Sequence, residues 1–294
     1  MNAGTVGAYI AADWGTTNRR AYLIDADGAV LDCVQDDRGV LVIDHAAFPQ
    51  EVVSLRDRLG ALPMIAAGMV GSTRGWVDVP YVAAPADLAA LAEGRAIVPG
   101  EDVAIVPGVK LTGARSDVMR GEEVQVLGAI VAGLAPADAL FCQPGTHNKW
   151  VRTVAGRIVD VSTAMTGELF ALLRGNGVLK GMLDGAVADG PAFRDGIARG
   201  AGATDLTVAL FEVRAAVLLG ALPADDAAAF ASGLLIGADV GTRDLDGRDV
   251  HLLASGPLAD LYAVAIRLRG GRLTAVDNQA GFLAGIHTIW EMTR

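Results

Sequence analysis

Basic residues are scarce in this chain. Lys and Arg number 24 against 34 Asp and Glu, a formal charge of −10, and the pI is near 4.8. A surface that tracks nucleic-acid phosphates would have to be built against that field, so nucleic acid is not an expected partner. An anionic ligand must be held by a local device: a helix N-terminus, a few Arg or Lys, or a metal ion. Cysteine is nearly absent. Cys33 and Cys142 lie in strand-like surroundings with no CxxC spacing, which excludes a disulfide-built miniprotein; both are expected to be buried free thiols in a reducing compartment. The four histidines, His45, His147, His251 and His287, are scattered, which argues against zinc. No apolar run reaches the roughly 18 residues of a membrane-spanning helix. Met1–Gly7 has no basic n-region, so no signal peptide is expected and a soluble cytoplasmic protein is. No GxxxxGK[ST] string occurs, which disfavours a P-loop nucleotidase.

What is present is a large, foldable core. The 294 residues are 52% hydrophobic and only 20% charged, far from the composition of disordered chains. That length allows one large domain or two of about 150 residues each. The opening reads as a buried strand over 8–13, a polar turn Trp14-Gly15-Thr16-Thr17-Asn18, a strand over 20–24, a turn at 25–28 and a strand over 29–34. The same plan returns at 139–142, Pro144-Gly145-Thr146-His147-Asn148, 149–154 and 157–161. The motif is thus present twice, and a duplicated, two-lobed chain is the economical reading, with lobes 1–135 and 136–294. Helices are expected at 48–59, 121–133, 167–174, 206–219, 225–238, 258–268 and 279–292, with strands at 63–67, 103–106 and 251–254. Alternating strands and helices make the class α/β.

Three turns have a use in phosphate chemistry. In Asp13-Trp14-Gly15-Thr16-Thr17, glycine lets backbone approach a phosphate, hydroxyls and amides bind its oxygens, and the acid can hold a hydrated Mg²⁺; a capped hairpin is the plainer alternative. Gly145-Thr146 occupies the corresponding place in the second copy, and two such loops suit a nucleoside triphosphate. Ser255-Gly256-Pro257 joins a strand to a helix that starts with Pro257, a corner a flat base and ribose can approach.

These residues resemble the superfamily of acetate kinase, sugar kinases, heat-shock chaperones and actin, and more closely the 2-dehydro-3-deoxygalactonokinase family. The likeness runs in order through 13–18, 67–72 with Gly75-Trp76, 118–123, 144–147 with Lys149-Trp150-Val151, 166–169, 211–214 and 232–237. It implies two duplicated lobes of the actin-like (ribonuclease H-like) ATPase fold with a central cleft. The implied activity is phosphoryl transfer from ATP, with Mg²⁺, to the 6-hydroxyl of 2-dehydro-3-deoxy-D-galactonate in galactonate catabolism. A silent sugar-binding or regulatory protein, or a phosphohydrolase of the same fold, is the alternative. The partner is a small 2-keto-3-deoxy sugar acid, and a homodimer is allowed.

The resemblance also distributes roles. Asp13, Gly15, Thr16, Thr17, Gly145, Thr146, His147, Ser255 and Gly256 would hold nucleotide and phosphate, with Asp13 on the metal. Related sugar kinases place a carboxylate base at a helix N-terminus after a glycine, as in Gly121-Glu122, with Asp117 and Glu123 as rivals. Arg120 would bind the substrate carboxylate or pair at the surface. Gly71, Ser72 and Trp76 would line the sugar-acid pocket, unless Trp76 anchors the core. Arg20 faces the substrate or pairs with Asp25; Lys149, Thr166 and Glu168 complete the substrate set, although Thr166 most simply caps a helix.

Overall fold

The computed structural model describes residues 7–294; the expectation for Met1–Gly7 falls almost wholly outside them. Its strands are β1 (Tyr9–Trp14), β2 (Arg19–Ile24), β3 (Val30–Asp36), β4 (Met64–Gly68), β5 (Val82–Ala83), β6 (Ala96–Val98), β7 (Val103–Ile105), β8 (Val109–Leu111), β9 (Asp117–Met119), β10 (Ala139–Gln143), β11 (Asn148–Val154), β12 (Arg157–Ala164), β13 (Asp249–Leu252) and β14 (Arg272–Ala275). The helices are α1 (Phe48–Leu59), α2 (Leu88–Glu93), α3 (Glu122–Val131), α4 (Thr166–Gly175), α5 (Pro191–Ala201), α6 (Leu206–Leu218), α7 (Ala227–Gly241), α8 (Pro257–Leu268) and α9 (Asn278–Glu291).

The duplication is written in the sheets. One runs β3-β2-β1-β4-β7-β6 and the other β12-β11-β10-β13-β14. In the first, β1, β4 and β7 are parallel and β1-β2-β3 is an antiparallel meander; in the second, β10, β13 and β14 are parallel. The strand order from edge to centre is therefore the same in both copies. A small sheet, β5-β8-β9, is added in the first.

Two compact units result. Among the described residues the first comprises 7–138, 151–161 and 277–294, the second 139–150 and 162–276. This differs from the expected continuous halves, 1–135 and 136–294, for two physical reasons. Residues 157–158 bond to the first unit's own backbone: Ala86 and Ile158 exchange both amide–carbonyl hydrogen bonds, at 3.0 and 2.8 Å. And α9 packs on α3 so closely that a β-carbon on Gly128 would run into the backbone of Gly281 and Gly285. The second unit repeats this device. Gly196 and Gly200 of α5 and Gly233 and Gly237 of α7 leave no space for a β-carbon between those helices.

The first unit's core gathers Ile10, Trp14, Phe48, Leu55, Met64 and Ile105 between sheet and α1. Arg19 fixes the meander to α1 by pairing with Asp36 (2.7 Å) and Glu51 (3.0 Å). The second unit has a core around Phe193, Ile236, Tyr262 and Ile266, and another around Leu183, Val213 and Leu234. Cys142 is buried as expected, but Cys33 is exposed, because it sits on the edge strand β3.

Candidate active site

The C-terminal end of β1 delivers Asp13 to a turn closed by the Gly15 amide on the Asn18 carbonyl (2.9 Å). Residues 39–41 brace that turn from behind: the amides of Gly39, Val40 and Leu41 donate to the carbonyls of Thr17, Gly15 and Thr16. The front is open. A cavity of about 220 Å³ is lined by Asp13, Gly15, Thr16, Thr17, Asn18 and Arg20. Arg20 stands directly opposite Asp13 in the β1–β2 register. It does not pair with Asp25, whose Oδ1 accepts the turn amides of Asp27 and Ala29 instead.

Burial pushes the Asp13 carboxyl up to about 6; Arg20 opposes that rise and Glu122 adds to it. Gln125, one turn along α3 from Glu122, donates to Asp13 at 3.4 Å. The path of the chain accounts for this convergence. Gly68 ends β4 and Gly121 precedes α3, both at positive φ (+100° and +103°); a β-carbon on Gly121 would press on Gly68 at 3.1 Å. With the chain turned this way, α3 points its N-terminus, and the favourable end of its dipole, at the ends of β1 and β4. Glu122 is held by accepting the Arg120 amide (2.9 Å), Glu123 by accepting the Gly121 amide (2.8 Å).

The rival acids fare differently. Glu123 is fully buried, which pushes its carboxyl up to about 8. Asp117 lies on β9, its carboxylate 3.7 Å from Arg115. Of the expected sugar-acid pocket, Trp76 is a core residue: it is 8% exposed and stacked on Phe48 with centroids 5.9 Å apart. Ser72 closes its own turn by donating to the Met69 carbonyl (2.7 Å). Gly71 leaves room for Arg120, since a β-carbon there would stand 2.9 Å from Nη1.

In the second unit, the loop 144–147 rests on the first turn of α4. The Glu168 amide donates to the Thr146 carbonyl (2.9 Å), and His147 Nε2 meets Glu168 Oε2 at 2.5 Å. Thr166 does not cap α4; its hydroxyl is bonded to Tyr262 (2.7 Å). Lys149 is buried and donates to Thr163 (2.7 Å). Beneath the loop lies a residue that sequence reasoning missed. Asp239, buried on α7, accepts from Asn148 Nδ2 (2.6 Å), Trp150 Nε1 (3.1 Å) and the Tyr262 hydroxyl (3.2 Å), with Arg243 at 3.6 Å. A lone acid in the apolar helix ALA-rich stretch 227–241 was the available signal. Ser255, Gly256 and Pro257 line a cavity of about 620 Å³ together with Asp260, Val264 and Leu273.

The donor set fits a magnesium ion brought in with a polyphosphate. Among the described residues no three His, Cys, Asp or Glu side chains cluster as a metal cage. Mg²⁺ commonly binds through one or two carboxylates plus phosphate oxygens and water, and Asp13 beside the turn supplies such a carboxylate.

Comparison with known proteins finds relatives along nearly the whole chain. A model of the 2-keto-3-deoxy-galactonokinase family matches residues 13–289. A 2-dehydro-3-deoxygalactonokinase of Escherichia coli (strain K12) is 38% identical over 288 residues, 96% of this chain and 97% of that one. A Rhizobium meliloti (strain 1021) protein assigned the same activity is 38% identical over 310 aligned residues, 98% and 99% of the two chains. A crystal structure of a Sinorhizobium meliloti protein, likewise assigned, superposes with a TM-score of 0.89 at 36% identity, covering 96% of this chain and 97% of that one. The fold alone extends to the activator of 2-hydroxyisocaproyl-CoA dehydratase from Clostridium difficile, solved with ADPNP, at TM-score 0.52, 12% identity and 97% and 95% coverage. With an actin-like fold in two duplicated units, a glycine-threonine turn at the end of each first strand, and full-length likeness to these relatives, the chain belongs to the 2-keto-3-deoxy-galactonokinase family.

Proposed function

We propose that the protein is an ATP-dependent kinase that phosphorylates the 6-hydroxyl of 2-dehydro-3-deoxy-D-galactonate. The observation that carries this reading is the open turn 15–18, which Asp13 and Arg20 line together with its glycine and threonines, with the charge of Glu122 acting on Asp13. Phosphoryl transfer needs positioned positive charge and a proton acceptor more than covalent chemistry, and those are what the turn brings together.

Each residue then has a task. The amides and hydroxyls of Gly15, Thr16 and Thr17, and of Gly145 and Thr146 in the other unit, hold phosphate oxygens. Asp13 holds Mg²⁺, which when bound neutralises charge on the phosphate oxygens. Glu122, at the N-terminus of α3, accepts the proton of the attacking hydroxyl. Arg20 steadies Asp13 and faces the transferred group, and Arg120 meets the acid end of the sugar. His147 and Glu168 hold the second loop to α4, and Ser255 and Gly256 border the adenosine. Lys149, Thr166, Ser72 and Trp76 support the site through their buried contacts.

A cytoplasmic location accompanies an ATP-consuming reaction. Among the described residues no helix is long and apolar enough to cross a membrane. Self-association fits the outer face of α6, where Val208, Phe211, Leu218 and Leu219 are more than half exposed. Large apolar side chains exposed together in this way mark a surface for association.

A coupled ADP-release assay with MgATP and a panel of sugar acids and neutral hexoses tests the activity. Turnover with 2-keto-3-deoxy acids, and none with glucose or glycerol, is expected. ADP release without any sugar acid would favour a phosphohydrolase, and no nucleotide binding a silent sugar-binding protein.

A further inference from the structure

Residues 38–41 form a strap behind the first glycine-threonine turn, and the two meet without room for a methyl group. Gly39 has φ −72° and ψ 168°, an extended backbone that any residue adopts, so conformation does not call for glycine there. Contact does. A β-carbon on Gly39 would stand 2.3 Å from the Thr17 carbonyl carbon and 2.4 Å from the Thr16 carbonyl oxygen, backbone atoms that cannot swing aside as a side chain would. The strap is in turn clasped from α1. Glu51 accepts from Arg38 Nε on Oε1 (3.2 Å) and from Arg19 Nη1 on Oε2 (3.0 Å), and the Arg38 carbonyl accepts from Trp14 Nε1 (2.9 Å).

The strap decides which way the turn's amides point. The carbonyls of Gly15, Thr16 and Thr17 accept the amides of Val40 (3.1 Å), Leu41 (3.2 Å) and Gly39 (3.2 Å). In a planar trans peptide the N–H that follows a carbonyl is directed opposite to it, so the amides of Thr16, Thr17 and Asn18 are turned away from the strap. Among the described residues no backbone carbonyl accepts from these three amides, and all three residues are exposed. They border the cavity of about 220 Å³, which no residue of 38–41 lines. Successive amides turned the same way make a concave seat for the oxygens of an anion.

We propose that Gly39, Arg38 and Glu51 are positioning residues for phosphoryl transfer: the strap draws the turn's carbonyls back and so presents the amides of Thr16, Thr17 and Asn18 to the phosphate oxygens of the nucleotide. This rests on the kinase reading and adds to it residues that set the phosphate turn without touching the nucleotide. Gly39→Ala suits the backbone and removes no side-chain contact. Its methyl group reaches ordinary contact, 3.4 Å or more, only when turn and strap part by roughly 1 Å, a displacement that can cost about 10²-fold in rate. The same parting breaks the bonds that aim the amides.

Steady-state kinetics of the whole protein, with MgATP and 2-dehydro-3-deoxy-D-galactonate varied separately, reads the effect at the nucleotide alone. Gly39→Ala should raise KM for ATP about tenfold or more, the worth of one hydrogen bond to a charged group, and lower kcat by about 10²-fold. KM for the sugar acid should stay within about twofold of wild type. Arg38→Ala, which frees the strap from Glu51, should raise KM for ATP about two- to fivefold, and Arg38→Lys, which keeps the charge, should recover most of that. An unchanged KM for ATP in Gly39→Ala, or a matched rise in both KM values, overturns the positioning role, while wild-type turnover leaves the kinase reading standing. Should Gly39→Ala not fold, the Arg38 pair decides: no rise in Arg38→Ala, or no recovery in Arg38→Lys, overturns it. If the wild type neither binds MgATP nor phosphorylates a sugar acid, the kinase reading fails and the role of the strap falls with it.

Discussion

A β-carbon on Gly167 would stand 2.7 Å from the carbonyl oxygen of Gly145. The first turn of α4 and the second glycine-threonine loop thus share a contact that only a hydrogen atom fits. Gly167→Ala should push the loop away while α4 itself, with alanine in place of glycine, loses no helix propensity. Displacements of about 1 Å can cost about 10²-fold in rate. A fall of that order in kcat/KM for ATP, with Tm nearly unchanged, is expected; unchanged kinetics would mean that the loop does not touch nucleotide.

Asp13→Asn should separate stability from activity. The rise of its pKa from 3.8 to about 6 means that the folded state binds this proton more tightly than the unfolded chain. Its contribution therefore falls as pH rises from about 4 to 6, reaching a deficit of at most about 3 kcal/mol at neutral pH. Asparagine removes that deficit, so the variant should melt higher than wild type at pH 7 and no higher at pH 4. Mg²⁺-dependent turnover should be lost. In the wild type, turnover should decline as acid titrates Asp13 below about pH 6.

Glu122→Gln is expected to lower kcat by about 10² to 10⁴, the usual worth of a positioned base. The glutamine carbonyl can still accept the Arg120 amide, so the thermal shift induced by MgATP should persist. Asp117→Asn, on β9 beside Arg115, should retain turnover. The reverse pattern would move the base to Asp117.

Removing Asp239 should be costly. Asp239→Ala leaves Asn148, Trp150 and Tyr262 donors buried without their acceptor and Arg243 without its counter-charge. Breaking a buried charged network of this kind typically costs about 3–5 kcal/mol. Chemical denaturation should register that loss, whereas an Asp239 that merely fills space would give about 1 kcal/mol, the centre of ordinary substitutions.

Phe211→Glu with Leu219→Glu should abolish self-association if two copies meet through α6, read by analytical ultracentrifugation. A monomeric wild type would assign that face another role.

Much of this was legible because it is local. The period of 48–59 gives α1 to the residue, Pro257 marks the start of α8, and the repeated strand–turn–strand pattern foretells two sheets of one strand order. Residues 191–201 escape because Gly196 and Gly200 depress helix propensity; their reason is the close contact with α7, which no local pattern carries. Trp76 resembles a ligand-facing aromatic until Phe48 is seen stacked against it. Thr166 has the chemistry of a cap, but the tertiary partner Tyr262 competes for its hydroxyl. Asp239 lies 91 residues from Asn148, so only folding reveals that it anchors the second loop.

The return of α9 to the first unit has a consequence for synthesis. A ribosome releases residues in order, and α3 emerges some 150 residues before the helix whose glycines it must clasp. Until then the apolar side of α3 is uncovered, so the earlier-made unit is the later one to finish folding, and chain released before residue 278 should be prone to capture by chaperones.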